Sequence, residues 1–413
     1  MKAILLCLLL VFSSCSIGYG RAEYVRHEGS DIRPTVRNGV DCSISLSGRV
    51  KPFQPLFIIP QTDEFYPFNA NGCVTLNSGD SIEFVCSDRF AAPLEGKNVI
   101  ATCVRGSIFK VNGKDIDVYS ISCTSWQYFT AKRTGKSCNG GILIEVGFQL
   151  DDKRFAKQYA VCFNESEEVT RYVHHMLSPG SNNFAIGVDC GRFTTANFFH
   201  REDVDRLYTR VQHQATINNL LGCSKYFDDR NDVILTRGHL AAKADFVYAS
   251  QQRATYILIN AAPQWHSFNG GNWEKIESSL RYWVFKQNKY IECWTGVWGV
   301  SSLLDINNQY QPLYLDYNSR NNGLIPVPKL FFRVVIEPST GKGIVFVGVN
   351  NPYLSLDDIL KDYVLCPDVS DVVTFINWNK RNIKQGYCYA CEVAEFAKAV
   401  PNLPKFSVNG LLY

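Results

Sequence analysis

The chain has 413 residues, 46% of them hydrophobic and 20% charged, which excludes fibrous, low-complexity and disordered classes and leaves room for two domains with ample core. Its formal charge of +3 is far from the strongly basic balance of DNA-packaging proteins, so a polyanion would have to be met by local clusters. Beyond the N-terminus no apolar run approaches the roughly 20 residues that cross a bilayer, so no membrane association is expected.

Residues 1–20 read as a secretory signal: Lys2 gives a positive start, Ala3 to Phe12 form a short apolar core, and Ser13 to Gly20 are small and polar enough for cleavage. The mature protein is expected outside the cell. Fifteen cysteines include Cys7 and Cys15 in that leader. Most of the thirteen from Cys42 to Cys391 are expected to pair in an oxidising compartment. An odd number leaves one thiol free or bonded to another chain, so a dimer stays open. Asn164-Glu165-Ser166 is the one glycosylation sequon.

From residue 21 to about 150, short alternating or β-branched runs (Pro55 to Ile59, Ser81 to Cys86, Ile116 to Thr124, Gly141 to Leu150) are separated by Gly, Asn and Asp turns and share six cysteines. This predicts a small disulfide-stapled β domain without visible chemistry. A boundary is expected between 150 and 180, after a strand at Lys153 to Phe163 and a short helix at Glu165 to Leu177. Leu207 to Ile217 fits strand or helix, Val233 to Thr236 is a short β-branched run, Ala254 to Asn260 reads as a strand, and Gly270-Gly271 as a turn.

The period then changes. Trp273, Ile276, Leu280, Trp283 and Val284 recur at three and four, the apolar face of a helix that Asn272 can cap. Ile291 to Val300 alternates, and Val327 to Glu337 with Gly343 to Val349 flank a glycine-containing hairpin loop. Residues 354–364 and Glu392 to Val400 look helical, tied down by Cys366, Cys388 and Cys391.

Chemistry concentrates between residues 233 and 281. A phosphodiester repels nucleophiles and has a poor leaving group, so its hydrolysis needs a base for water and a cation for the developing charge. His239, at the end of a strand, is a candidate base because imidazole is partly neutral at working pH. Gly238 beside it removes a Cβ that would crowd an approaching phosphate. Asn269, Trp273, Glu277 and Arg281 follow at spacings of four, a stripe offset from the apolar face. An amide oxygen suits Mg²⁺, a carboxylate can hold the metal's waters, and a guanidinium can neutralise the transition state.

The strings TRGHLAAKADF (236–246), NAAPQW (260–265) and FNGGNWEKIESSLR (268–281) together resemble the DNA/RNA non-specific endonucleases, the ββα-metal nucleases of the Serratia nuclease and endonuclease G type. The likeness is greatest to secreted insect double-stranded ribonucleases and salivary endonucleases and covers roughly residues 180–400. It implies an α+β nuclease domain, a central antiparallel sheet flanked by helices, at residues 166–413, behind a disulfide-rich β domain at 21–165. It further implies that His239 is the general base, Asn269 the direct ligand of Mg²⁺ (with Mn²⁺ as a substitute), and Glu277 a partner of the metal through water. Arg281 would stabilise the transition state, Asn260 would support the site near the scissile phosphate, Arg237 would contact the substrate backbone or the helix, and Gln264 would contact substrate. Both DNA and RNA, double-stranded RNA included, would be cut with little sequence specificity to leave 5′-phosphates. One position departs from the pattern: three residues before His239 stands Thr236, where the wider family usually has Asp. The upstream arginine that meets the substrate phosphate has two candidates, Arg210 and Arg230.

Other features have plainer readings. The clusters Lys132/Arg133/Lys136, Arg201/Arg206/Arg210 and Lys380/Arg381/Lys384 are expected to be solvated surface. Cys388-x-x-Cys391 is expected to form disulfides and not zinc ligands, His174-His175 a surface pair, and Trp265, Trp294 and Trp298 core residues and not base-stacking platforms. The rival function is a secreted nucleic-acid-binding protein on a nuclease scaffold with little catalysis.

Overall fold

The structure, a computed structural model, describes residues 42–46, 53–199, 204–227, 234–318 and 320–413; the expected signal peptide, Arg201 and Arg230 lie outside them. Eight antiparallel strands make the main sheet, in the order Cys388–Cys391, Lys342–Val349, Pro328–Glu337, Ile291–Val300, Val169–Leu177, Phe155–Asn164, Gly141–Gln149 and Phe129–Cys138. Side chains alternate across each strand, so the sheet carries a core on both faces. From Pro328–Glu337, Phe331 and Val335 enter one core, while Phe332, Val334 and Ile336 enter the other. The first core is closed by the helix Glu274–Gln287, the second by the helices Leu356–Asp362 and Val393–Ala399. This is the expected α+β architecture of a central antiparallel sheet flanked by helices.

Glu274–Gln287 is helical because Ile276, Leu280 and Val284 recur every four residues and each is fully buried, a gain of about 1.5–3 kcal/mol per side chain. Trp273 at its start meets Phe268 and Phe331 edge-on. The helix stops at Asn288, whose φ of 50° is the left-handed conformation that Asn tolerates.

The N-terminal part forms a five-stranded antiparallel sheet (Leu56–Ile58, Ser81–Val85, Asn98–Arg105, Ile108–Val111, Lys114–Asp117) and a separate ladder of Cys42–Ser45 with Cys73–Leu76. The disulfides Cys42–Cys103 and Cys86–Cys123 staple it. Its core takes in Val247 and Tyr248 from far downstream. The Tyr248 ring packs against Phe57, Phe65 and Phe68, and its hydroxyl donates to the Tyr66 carbonyl at 2.8 Å. The expected division at 165/166 falls in the turn between Phe155–Asn164 and Val169–Leu177, which pair with each other, so residues 129–164 share a sheet with the strands that follow.

Several local expectations are corrected. The helix expected at Glu165 to Leu177 is the strand Val169–Leu177, because its β-branched residues are hydrogen-bonded on both sides by Phe155–Asn164 and Ile291–Val300. Ala254 to Asn260 is not a strand: the helix Ala249–Ala254 and a 3₁₀ turn at Leu258–Asn260 precede the strand Ala261–Trp265. Gly270-Gly271 lies inside a π-helical turn, Asn269–Trp273, where a Cβ on Gly271 would sit 2.6 Å from the Gln385 carbonyl. Asn272 does not cap the helix; its amide holds the chain at Asn379 and Gly386.

Two further disulfides, Cys138–Cys162 and Cys366–Cys391, sit in the sheet region, and among the described residues Cys190, Cys223, Cys293 and Cys388 are unpaired. More thiols are therefore free than the single one that the odd number requires. Cys388 and Cys391, three apart on one strand, point to opposite cores. That parity leaves Cys388 a buried thiol and separates the two as ligands or as a redox pair.

Candidate active site

The strand Leu235–His239 pairs antiparallel with Ala261–Trp265, setting His239 opposite Ala261 and Thr236 opposite Gln264. Gly238 is required by this pairing: a Cβ there would lie 2.1 Å from Gln264 Oε1 and 2.6 Å from its Cβ. The crowding that this glycine relieves is with Gln264. Gln264 itself is fully buried.

Asn260 is also fully buried. Its Oδ1 accepts from the Ala241 N–H at 2.8 Å, and its Nδ2 donates to the Ala241 and Thr255 carbonyls at 3.1 and 3.0 Å. These bonds to backbone make Asn260 a brace for the turn that follows His239.

His239 is half-buried in an aromatic setting. Its ring lies 5.1 Å from Phe193 and 4.9 Å from Tyr256, which are 4.8 Å from each other. Phe193 arrives on a strap held by backbone hydrogen bonds from Thr194 N–H to Tyr256 O and from Leu258 N–H to Thr194 O. Burial, then the Lys243 ammonium, holds the imidazole down to about 4, so the neutral base is the form present at working pH. Nε2 is sealed inside without a hydrogen-bond partner.

Asn269 opens the π-helical turn, a local widening often found at functional positions. Its Nδ2 donates to Thr236 Oγ1 at 3.2 Å, tying it to the strand that carries His239. Glu277 and Arg281, one turn apart on the helix, belong to a buried charge cluster. Asp245 is its centre: Oδ1 accepts from Arg281 Nη1 at 2.8 Å, and Oδ2 lies 2.8 Å from His175 Nε2 and 3.3 Å from Arg333 Nη1. Arg333 Nη2 lies 3.5 Å from Glu277 Oε1, and its Nε donates to Thr295 Oγ1 at 3.0 Å.

The cluster sets two carboxyl groups against two guanidiniums. Against the upward push of burial, Arg333, His175 and Arg281 keep Asp245 ionised well below the usual carboxylate range. Burial pushes the Glu277 carboxyl up, opposed by Arg333 and Arg281 and reinforced by Asp245 and Glu274. Burial holds His175 below its ordinary value despite Asp245, so it is neutral.

Asp245, His175 and Arg333 escaped the sequence reading. Asp245 stands in the 236–246 string itself. His175 was expected at the surface, but on a strand it faces opposite to His174, which stacks on Trp294 at 4.4 Å. Arg237 meets the helix Val204–Leu207, with Nη2 donating to Asp205 Oδ1 at 2.9 Å and the guanidinium 5.0 Å from the Tyr208 ring. Of the two arginines considered for the upstream contact, Arg210 begins the helix Arg210–Leu221 on an exposed face. Arg192, next to Phe193, is exposed and forms no ion pair among the described residues. Trp265 is core, as expected, and Trp294 and Trp298 pack at the edge of the second core.

The candidate site is thus His239 on its strand, Asn269 at the start of the following helix, and Glu277 and Arg281 one helical turn apart. The chain belongs to the DNA/RNA non-specific endonucleases, whose family model matches residues 139–396. It is 29% identical over 375 residues to a salivary endonuclease of Lutzomyia longipalpis, covering 88% of this chain and 85% of that protein. It is 23% identical over 383 residues to the salivary protein Tsal2A of Glossina morsitans morsitans, covering 90% of this chain and 94% of that one. The crystal structure of the EndoG/EndoGI complex matches 47% of this chain and 72% of its own at 18% identity, with a TM-score of 0.31.

Proposed function

We propose that the protein is a secreted, Mg²⁺-dependent endonuclease that hydrolyses DNA and RNA, double-stranded RNA included, with little sequence specificity and leaves 5′-phosphates. The observation that carries this reading is the hydrogen bond from Asn269 to Thr236, which ties a metal-ligand amide to the strand of the candidate base. The donor chemistry fits Mg²⁺. Asn269 Oδ1 is a hard oxygen, makes no hydrogen bond to a described residue, and stands where no group of three or more His, Cys, Asp or Glu gathers among those residues. Such a site suits a cation that keeps most of its own water.

When bound, Mg²⁺ supplies positive charge to the phosphate oxygens. His239 takes the proton of the attacking water at Nδ1, since Nε2 is sealed in the interior. Lys243 and the aromatic cover keep that base neutral. Arg281 uses Nη1 on Asp245, and its remaining donors meet the charge that develops on phosphate. Glu277, anchored by Arg333, would accept a hydrogen bond from a water of the metal. Because the base acts on water and not on a ribose hydroxyl, DNA and RNA are both substrates. Contacts to backbone alone carry no sequence information. Salivary relatives, the disulfides and the apolar N-terminal stretch support export.

The test is nicking of plasmid DNA and cleavage of a long RNA duplex by the wild-type chain, His239→Ala and Asn269→Ala. Loss of turnover with retained substrate binding is expected in both variants. Binding without turnover in the wild type would instead make the chain a nucleic-acid-binding protein.

A further inference from the structure

We propose that Thr236 is a positioning residue for the metal ligand, its hydroxyl deciding which way the Asn269 amide faces. The inference rests on the reading of Asn269 as the Mg²⁺ ligand.

Thr236 Oγ1 lies 3.0 Å from the Gln264 backbone carbonyl and 3.2 Å from the Asn269 side-chain amide. A carbonyl oxygen only accepts, so the single hydroxyl proton goes to Gln264. Only lone pairs then face Asn269, and the amide must present its Nδ2 to them. Oδ1 is turned to the opposite side, where no described residue hydrogen-bonds it. The two ends of an amide have nearly the same shape, so packing alone selects poorly between them and the hydroxyl makes the choice.

Thr236 is suited to the task. Its hydroxyl is locked across the Leu235–His239 and Ala261–Trp265 ladder, and a β-branched side chain has few rotamers. Asn269 needs the anchor, because it is followed by Gly270, around which a Cβ would meet nothing within 4 Å, and by Gly271 with non-helical dihedrals. Thr orients the amide without bringing a negative charge.

The experiment titrates Mn²⁺ into the full chain without substrate and follows free Mn²⁺ by its electron paramagnetic resonance signal. Variants are Asn269→Ala, Thr236→Val, Thr236→Ser and Thr236→Asp, with melting curves to confirm folding. Expected are loss of the site in Asn269→Ala and weakening by about 10-fold or more in Thr236→Val, the usual size of an outer-shell effect. Near-wild-type binding is expected in Thr236→Ser, and tighter binding in Thr236→Asp. Unchanged affinity in Thr236→Val with Asn269→Ala inactive in binding overturns the role of Thr236 alone, as does equal weakening by Val and Ser. Unchanged binding in Asn269→Ala overturns the metal reading itself.

Discussion

Replacing Phe193 with alanine opens one face of His239 to water and should raise the pH at which activity fails on the acid side. Imidazole titrates near 6.5 in water and is held at about 4 here, a difference equivalent to roughly 3 kcal/mol in favour of the neutral base. Burial is the larger cause and Lys243 the second. The burial comes in part from two rings, Phe193 at 5.1 Å and Tyr256 at 4.9 Å. Removing one ring while Tyr256 and Lys243 remain should return about one pH unit, close to a threefold loss of kcat/KM at pH 4.5 with little change at pH 8. The charged groups around the ring are otherwise unchanged, since Arg237 touches Phe193 and not the imidazole and is paired with Asp205. The assay is cleavage of a labelled duplex from pH 4 to 8, with proton NMR titration of the histidine signal that disappears in His239→Gln. An acid limb and an NMR titration that both stay in place in Phe193→Ala would refute desolvation of His239 by the strap.

Asp245→Asn keeps shape but leaves Arg281 and Arg333 without their shared anion; destabilisation by about 3–5 kcal/mol is expected in chemical denaturation. Acid should destabilise the fold independently of that cluster. His213, like His239, is held by burial at about 4, below its unfolded value, so the folded state binds fewer protons as pH falls from about 6.5 to 4. Stability is fully present above that window and should decline through it, seen as a lower urea midpoint at pH 4.5 than at pH 7. Tyr248→Ala empties a fully buried position among Phe57, Phe65 and Phe68, and a loss of roughly 3–5 kcal/mol is expected, whereas Tyr248→Phe, which drops only the bond to the Tyr66 carbonyl, should lose about 1 kcal/mol.

What was legible in the sequence was local. The 3.6-residue spacing of Ile276, Leu280 and Val284 marked the central helix, and the alternating runs on either side of residues 338–341 marked the hairpin, because each element writes its own period. The strand Val169–Leu177 was not legible as such: its identity comes from neighbours 5 and 122 residues away across the turn and the sheet, as in Asn164↔Val169 and Thr295↔Val173.

The site divides in the same way. His239, Asn269, Glu277 and Arg281 were named from their motif, but what surrounds them is long-range. Asp245 meets His175 at a separation of 70 residues and Arg281 at 36, and Glu277 meets Arg333 from another strand. Gln264 and Asn260 looked like polar residues near a phosphate, and only the pairing of two short strands shows that one fills the space over Gly238 and the other braces the turn at Ala241. Thr236 changes standing most. Read along the chain it is a missing carboxylate; in the fold it is the hydroxyl that Asn269 leans on.

The central claim, water-based hydrolysis at a metal site served by His239, is tested most directly by the chemistry of the cut ends. One duplex sequence is prepared as DNA and as RNA and digested with Mg²⁺, with EDTA, and by His239→Ala. The expected result is cleavage of both duplexes only with metal and only by the wild type, every new end carrying a 5′-phosphate and a 3′-hydroxyl. Cleavage of RNA alone, with cyclic phosphate ends and unaffected by EDTA, would contradict it.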